Sequence, residues 1–221
     1  MARIIVEGSS TAYGLWGGKQ GGWADRIKTS ILSDENRGQY ASLVNLAVPL
    51  RTSTEIADDL LANLTRYAGE SPARIALFML GMSESRLRGG NEIVTPDMFR
   101  RDIERIIETC QLSGFIPVFI GMTPIDEAKT RQFKGEDVSF LDTRRVIYDD
   151  IVRSCVNIHT GVLYVDTVAA LMEHSSDVAS LIDKDGLHVN SEGHGVIHDL
   201  LLPIVRTKIL ELKKPRSRVA V

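Results

Sequence analysis

Two hydrophobic periods alternate along this chain, and that alternation limits its fold more than any other feature. Short runs rich in consecutive apolar residues, Arg3–Val6, Leu43–Leu46, Ile75–Leu80, Pro117–Ile120 and Leu163–Val165, fit strands buried on both faces. Between them, apolar residues recur at helical spacing. Trp23, Ile27 and Ile31 form one such series, and Ile56, Leu60 and Leu64 a second. Phe99, Ile103, Ile106, Ile107 and Cys110 form a third, and Val146, Ile147, Ile151 and Val152 a fourth. The last runs from Val196, Ile197, Leu200, Leu201 and Ile204 to Ile209 and Leu212, with Pro203 predicting a kink or brief interruption. Strand–helix repetition predicts an α/β protein: three α/β/α layers around a five-stranded parallel sheet.

The punctuation agrees with this pattern. Thr52 with Glu55 reads as a capping box, and Thr95 followed by Pro96 as a helix start. Gly38, Gly69 and Gly114 fall near helix ends. Met82–Thr95 and Met122–Phe140 are the longest irregular stretches. No linker rich in Pro, Gly or Ser divides the chain, so one domain is expected over residues 1–212, followed by a basic, frayed tail at 213–221.

Composition removes several classes of function. With 221 residues the chain can bury a core without staples. A formal net charge of −3 gives no electrostatic footprint for nucleic acid. No apolar run is long enough to span a membrane and no secretory leader opens the sequence, so a cytoplasmic location is expected. Cys110 and Cys155 sit among apolar helical neighbours and read as buried free thiols. Metal-ligand spacing, a phosphate-binding GxxxxGK[ST] and a GxGxxG are all absent, so no metal or cofactor is expected. Homo-oligomerisation is left open.

Open α/β sheets place ligands beyond the carboxyl ends of their strands. The first such position reads GSSTAYG, from Gly8 to Gly14. Alone, it is a helix-start turn or an anion-binding nest as readily as a nucleophile. The last reads DKDGLHVNSEGH, with Asp185 three residues before His188. A nucleophilic serine needs a base and a group that orients the base. Ser10, His188 and Asp185 supply all three.

On these blocks the chain resembles the SGNH/GDSL hydrolases, serine esterases and acylhydrolases on a flavodoxin-like sheet. VEGSSTAYG followed by GGW matches the first family block, and DGLHVNSEGH the last. NLAVPLRTS and LGMSES are altered versions of the middle two. The resemblance spans Ile4 to about Leu202. It implies a cofactor-free hydrolase of a small ester, working through an acyl-enzyme; Leu50 and the compact chain, which leave no long apolar channel, point to a short acyl group. Ser10 would be the nucleophile, His188 the base and Asp185 its orienter, with Ser9 in place of the family's aspartate.

The same alignment assigns the oxyanion donors to the backbone N–H of Ser10, that of Leu50 in place of a glycine, and Ser83 in place of an asparagine. Leu50 keeps its N–H provided the turn does not require a positive φ, and it narrows the pocket. A serine hydroxyl donates one bond but reaches less far than an asparagine amide. Ser85, Arg51, Arg86 and Arg88 are the neighbours available to compensate. Ser9, Trp16, Arg51 and Ser85 are further candidates for substrate contact, Trp16 as part of a pocket rim. Asn45 is expected to pin the second loop, His194 to cap or pack a helix start, and Glu84 to lie with Arg86–Arg88 in a solvated loop. His159, His174 and His198 read as structural or exposed. The altered donors leave a second reading, a weakened or silent SGNH-like domain that binds small molecules or carbohydrate. A flavodoxin-like nucleotide-binding module is the third.

Overall fold

A computed structural model of the chain describes residues 1–33 and 41–213. Gly38 and the tail beyond Lys213 lie outside the described residues. The strands are β1 Ala2–Gly8, β2 Ala41–Asn45, β3 Arg74–Met79, β4 Leu87–Arg88, β5 Asn91–Glu92, β6 Ile116–Ile120, β7 Val138–Ser139 and β8 Leu163–Val165. The helices are α1 Ser10–Tyr13, α2 Trp23–Leu32, α3 Ser53–Ala68, α4 Met82–Ser85, α5 Pro96–Leu112, α6 Glu127–Thr130, α7 Asp142–Ile158, α8 Thr167–His174 and α9 Ser191–Lys213.

The main sheet has the order β2-β1-β3-β6-β8, and its paired strands are all parallel. Side chains alternate across a strand, so each strand feeds two cores. Ile4, Val6, Ile75 and Leu77 pack on one face, with Trp23, Ile27, Ile31, Ile197, Leu201 and Ile209 of α2 and α9. Ile5, Ala76 and Phe78 pack on the other, with residues of α3, α5 and α7 including Leu60, Ile103 and Tyr148. Both faces are covered, which explains why these strands are apolar on consecutive residues.

The predicted caps form. The Glu55 carboxylate accepts from both the backbone N–H and the hydroxyl of Thr52, each at 2.8 Å. Thr95 Oγ1 accepts from Met98 N at 3.3 Å, with Pro96 in the first turn. Gly69 closes α3 at φ +53°. The expected interruption at Pro203 does not occur, because α9 runs unbroken through it. Leu201, Val205 and Ile209 lie on both sides of the proline and are buried in one core. Their burial holds the helix across the missing backbone donor.

The two stretches expected to be irregular carry a second, small sheet. Its order is β5-β4-β7 and its pairs are antiparallel. Each of its strands is two residues long, too short to show a period. This sheet stands beyond β3 and β6, at the carboxyl end of the main sheet, where it helps to build the site.

Candidate active site

The site begins where β1 ends. Gly8 has φ +152°, and a Cβ there would lie 2.6 Å from the Met79 carbonyl oxygen and 2.7 Å from Ala12 Cβ. Only glycine lets β1 turn this tightly into α1. Ser9 occupies the N-cap position and Ser10 the first helical residue. The single turn of α1 closes on Gly14, a left-handed C-cap. Asn45 ties the next strand to this turn, donating through Nδ2 to Ala12 O at 2.9 Å and accepting from Ala47 N at 3.0 Å. It pins the second loop as its position predicted.

The loop before α9 brings the base. Asp183 N donates to His188 O at 2.7 Å, and Ile182 bridges Val189, so residues 183–188 form a closed turn. Within it, His188 Nδ1 lies 2.7 Å from Asp185 Oδ2, and His188 Nε2 lies 2.7 Å from Ser10 Oγ. Asp185 Oδ1 also accepts from the backbone N–H of Leu187 at 2.9 Å and of His188 at 3.1 Å. Burial alone would push this carboxyl up. The bonds from the His188 ring and the two backbone N–H groups outweigh it and hold Asp185 well below the usual carboxylate range. An ionised carboxylate can only accept, so Nδ1 carries the imidazole proton. Nε2 is then free to accept from the Ser10 hydroxyl.

Trp16 makes a further contact with the same carboxylate. Its indole Nε1–H donates to Asp185 Oδ2 at 2.9 Å. The sequence pointed to Trp16 as a pocket rim, but it does not line the cavity beside Ser10. It stands behind the aspartate.

His194, fully buried, has the predicted structural place. Its Nδ1 accepts from Trp23 N at 3.3 Å, so its Nε2–H donates to Leu15 O at 2.8 Å. Burial holds this imidazole below its ordinary value and so keeps it neutral.

A cavity of about 270 Å³ opens beside Ser10 and His188. Leu50 and Ser83 both line it. The Ser10 N–H is a first-turn donor with no partner inside its own helix. Among the described residues the Leu50 N–H has no hydrogen-bond partner, and neither has the Ser83 hydroxyl. The proviso on Leu50 fails, since its φ is +68°, the left-handed region that favours glycine. The loop is fixed on both sides, by Val48 N donating to Gly8 O and Arg51 N to Val48 O, each at 3.1 Å. Leu50 therefore adopts the glycine-like conformation against its own preference.

Three candidates for substrate contact lie elsewhere. The Ser9 side chain is buried at the N-cap and does not line the cavity. The Ser85 hydroxyl turns back to its own helix and donates to Met82 O at 3.0 Å. Arg51 is drawn below the loop by ion pairs to Glu7 at 2.7 Å and Asp59 at 2.9 Å. Arg86 and Arg88 do line the cavity.

Glu84 corrects another expectation. It is 1% exposed, not solvated. Its carboxylate accepts from Gly81 N at 2.9 Å and, closer still, from Ser53 N. It thereby joins the third loop to the start of α3. Burial pushes its carboxyl up to about 7 despite these bonds. Sequence reading also passed over Glu7, 0% exposed, which receives Arg51 and, at 2.9 Å, Asn63 Nδ2. A charged residue inside the run IIVEG was the available signal. The cavity wall from Phe133, Val138 and Phe140 left no such signal. Phe133 meets the His188 ring edge-on, with centroids 6.5 Å apart.

Among the described residues no helix is long and apolar enough to cross a membrane. No protein-family model and no curated protein matches the sequence. Solved structures do. A lipase/acylhydrolase from Enterococcus faecalis superposes with a TM-score of 0.72 at 16% identity, over 94% of this chain and 97% of that one. A variant of an acetyl xylan esterase from Geobacillus stearothermophilus gives 0.69 at 14% identity, over 92% and 94%. A carbohydrate acetylesterase family member from Sinorhizobium meliloti gives 0.67 at 16%, over 95% and 99%. In its sheet order, its layers and its likeness to these esterases along nearly the whole of each chain, this protein has the SGNH hydrolase fold.

Proposed function

We propose that the protein is a serine esterase of the SGNH type, cleaving a small ester through an acyl-enzyme. The observation that carries this reading is the continuous hydrogen-bond line from Ser10 Oγ through His188 to Asp185, with both links at 2.7 Å. Ser10 Oγ attacks the carbonyl carbon as its proton passes to His188 Nε2. Asp185 stabilises the imidazolium. The C–O bond to the alcohol breaks, and Nε2 returns the proton to the leaving oxygen. Water then attacks the acyl-Ser10 carbonyl, giving its proton to Nε2. The acid departs as Ser10 Oγ is reprotonated. The developing oxyanion is held by the N–H groups of Ser10 and Leu50 and by the Ser83 hydroxyl. No cofactor is needed for any step.

The cavity's modest volume supports a short acyl group. The acetyl xylan esterase and carbohydrate acetylesterase among the structural neighbours make an acetyl ester of a small polyol or sugar the first class to try. Incubation with an aryl acetate and with a serine-reactive phosphonate tests the reading. Turnover is expected, with the phosphonate mapped by mass spectrometry to Ser10 and both signals lost in His188→Ala. A native protein that neither turns over the acetate nor takes the label would favour a silent binding domain, the reading that the left-handed Leu50 and the substituted Ser83 keep open.

A further inference from the structure

Arg86 is placed unlike the arginines beside it. It caps α4 and lines the cavity that holds Ser10 and His188. Its Nε is buried without a hydrogen-bond partner. Among the described residues its guanidinium has neither a hydrogen bond nor an ion pair. Nearby, Arg51 is paired to Glu7 and Asp59, while Arg144 is paired to Glu92 and held by Ser85 O and Tyr148. The two acids that act on Arg86 are engaged elsewhere. Glu84 is bonded to Gly81 N and Ser53 N, and Glu55 is bonded to Thr52.

The cavity's other charged residues reinforce this. Arg88 and Lys134 also line it, against Glu136 as the carboxylate on its rim. Leu15, Phe133, Val138 and Phe140 make much of the remaining wall apolar. A half-buried cation with no partner is costly. Burial, with the repulsion of Arg88, holds the Arg86 guanidinium below its ordinary value while Glu84 opposes. An anion in the cavity would relieve both effects. Guanidinium presents a planar fork of donors, which fits carboxylate and phosphate oxygens.

We propose that the ester bound here carries its own anionic group, a carboxylate or a phosphate, which is seated on Arg86 with Arg88 at the mouth. Arg86, Ser10 and His188 line one cavity of about 270 Å³, so the anion and the scissile ester are placed on one small molecule. The proposal rests on the esterase reading and narrows its substrate class.

Matched esters test it. Para-nitrophenyl hemisuccinate against para-nitrophenyl butyrate places the charge on the acyl side. Para-acetoxyphenyl phosphate and para-acetoxybenzoate, against the methyl ester of the latter, place it on the alcohol side. At least one anionic ester is expected to exceed its neutral counterpart about tenfold in kcat/KM. Arg86→Gln should reduce that ratio about tenfold, and about 0.5 M salt should reduce it too. Arg88→Gln, altering a side chain on an exposed strand, serves if Arg86→Gln does not fold. In parallel, calorimetry with succinate and with phenyl phosphate should show binding to the native protein that weakens in the variant. Ratios near unity in the native protein, or anions that bind native and variant equally, overturn the proposal. If no ester turns over, the esterase reading falls and the calorimetry alone decides whether an anion sits on Arg86.

Discussion

Trp16 holds its backbone at φ +65°, a conformation uncommon for a bulky residue, and in that pose its indole N–H reaches Asp185. Asp185 Oδ2 thus accepts from two side chains, the base it orients and the Trp16 indole, while Oδ1 accepts from two backbone N–H groups. Trp16 makes no hydrogen bond to Ser10 and does not line the cavity, so it acts as a positioning residue. Trp16→Phe keeps the ring and removes the donor. The expected result with an aryl acetate is a fall in kcat of about three- to tenfold with KM unchanged. A rise in KM at constant kcat would instead place Trp16 against the substrate. The line that Ser10, His188 and Asp185 form was legible from their order in the chain, the three-residue spacing of Asp185 and His188, and the family blocks that carry them, although α8 separates the last two from the end of β8. The Trp16 contact was not, because it joins residues 169 apart in sequence through a turn whose direction no local pattern gives.

At the scale of elements, the loop after β2 is the strained part of the site. Leu50 sits at φ +68° and is 59% exposed, so it pays for a left-handed turn and buries little in return. A non-glycine residue in this region costs about 1–2 kcal/mol. Leu50→Gly removes that cost, retains the N–H and opens the cavity wall. We expect a thermal midpoint no lower than that of the native protein. The kcat/KM ratio for butyrate over acetate esters should rise severalfold in an acyl-length series. A fall in the midpoint would mean that the Leu50 side chain stabilises the loop through packing. The long helices and the parallel strands were legible because they repeat a period over several turns or residues. The small sheet of β4, β5 and β7 was not, because two-residue strands are fixed by their partners.

For the whole molecule, the two buried glutamates make stability depend on pH. Burial raises Glu7 to about 7, against the opposing pull of Arg51 and Asn63, and raises Glu84 to about 7 as well. Both folded values lie above those of an unfolded chain. Their stabilisation is therefore complete below the ordinary glutamate range and is lost as pH rises through about 7. Buried His194 has the opposite sign. Its imidazole is held low, so its contribution is present above the ordinary histidine range, near 6.5, and is lost as pH falls below it. Two glutamates outweigh one histidine, so denaturant unfolding at a series of pH values should show stability falling from about pH 5 through about pH 7. Between pH 6 and 8 it should fall by about 1 kcal/mol for each glutamate. Glu7→Gln should remove about half of that fall, and an unchanged slope would show that Glu7 is ionised throughout.

The sequence by itself determined the layers, the strands of the main sheet and the residue types of the Ser10–His188–Asp185 line. Each of these follows from a local property: a hydrophobic pattern, the serine at the end of β1, or the three-residue spacing of Asp185 and His188. Tertiary structure alone decided which neighbours join the site. Arg51 turned down to Glu7, the Ser85 hydroxyl turned to its own backbone, and Trp16 moved from the rim to the back of Asp185. Arg86 remained in the cavity without a partner. These outcomes depend on which charges and donors the sheet order β2-β1-β3-β6-β8 brings within bonding distance. A hydrogen bond acts over about 3 Å, and one between residues distant in sequence has no signature along the chain.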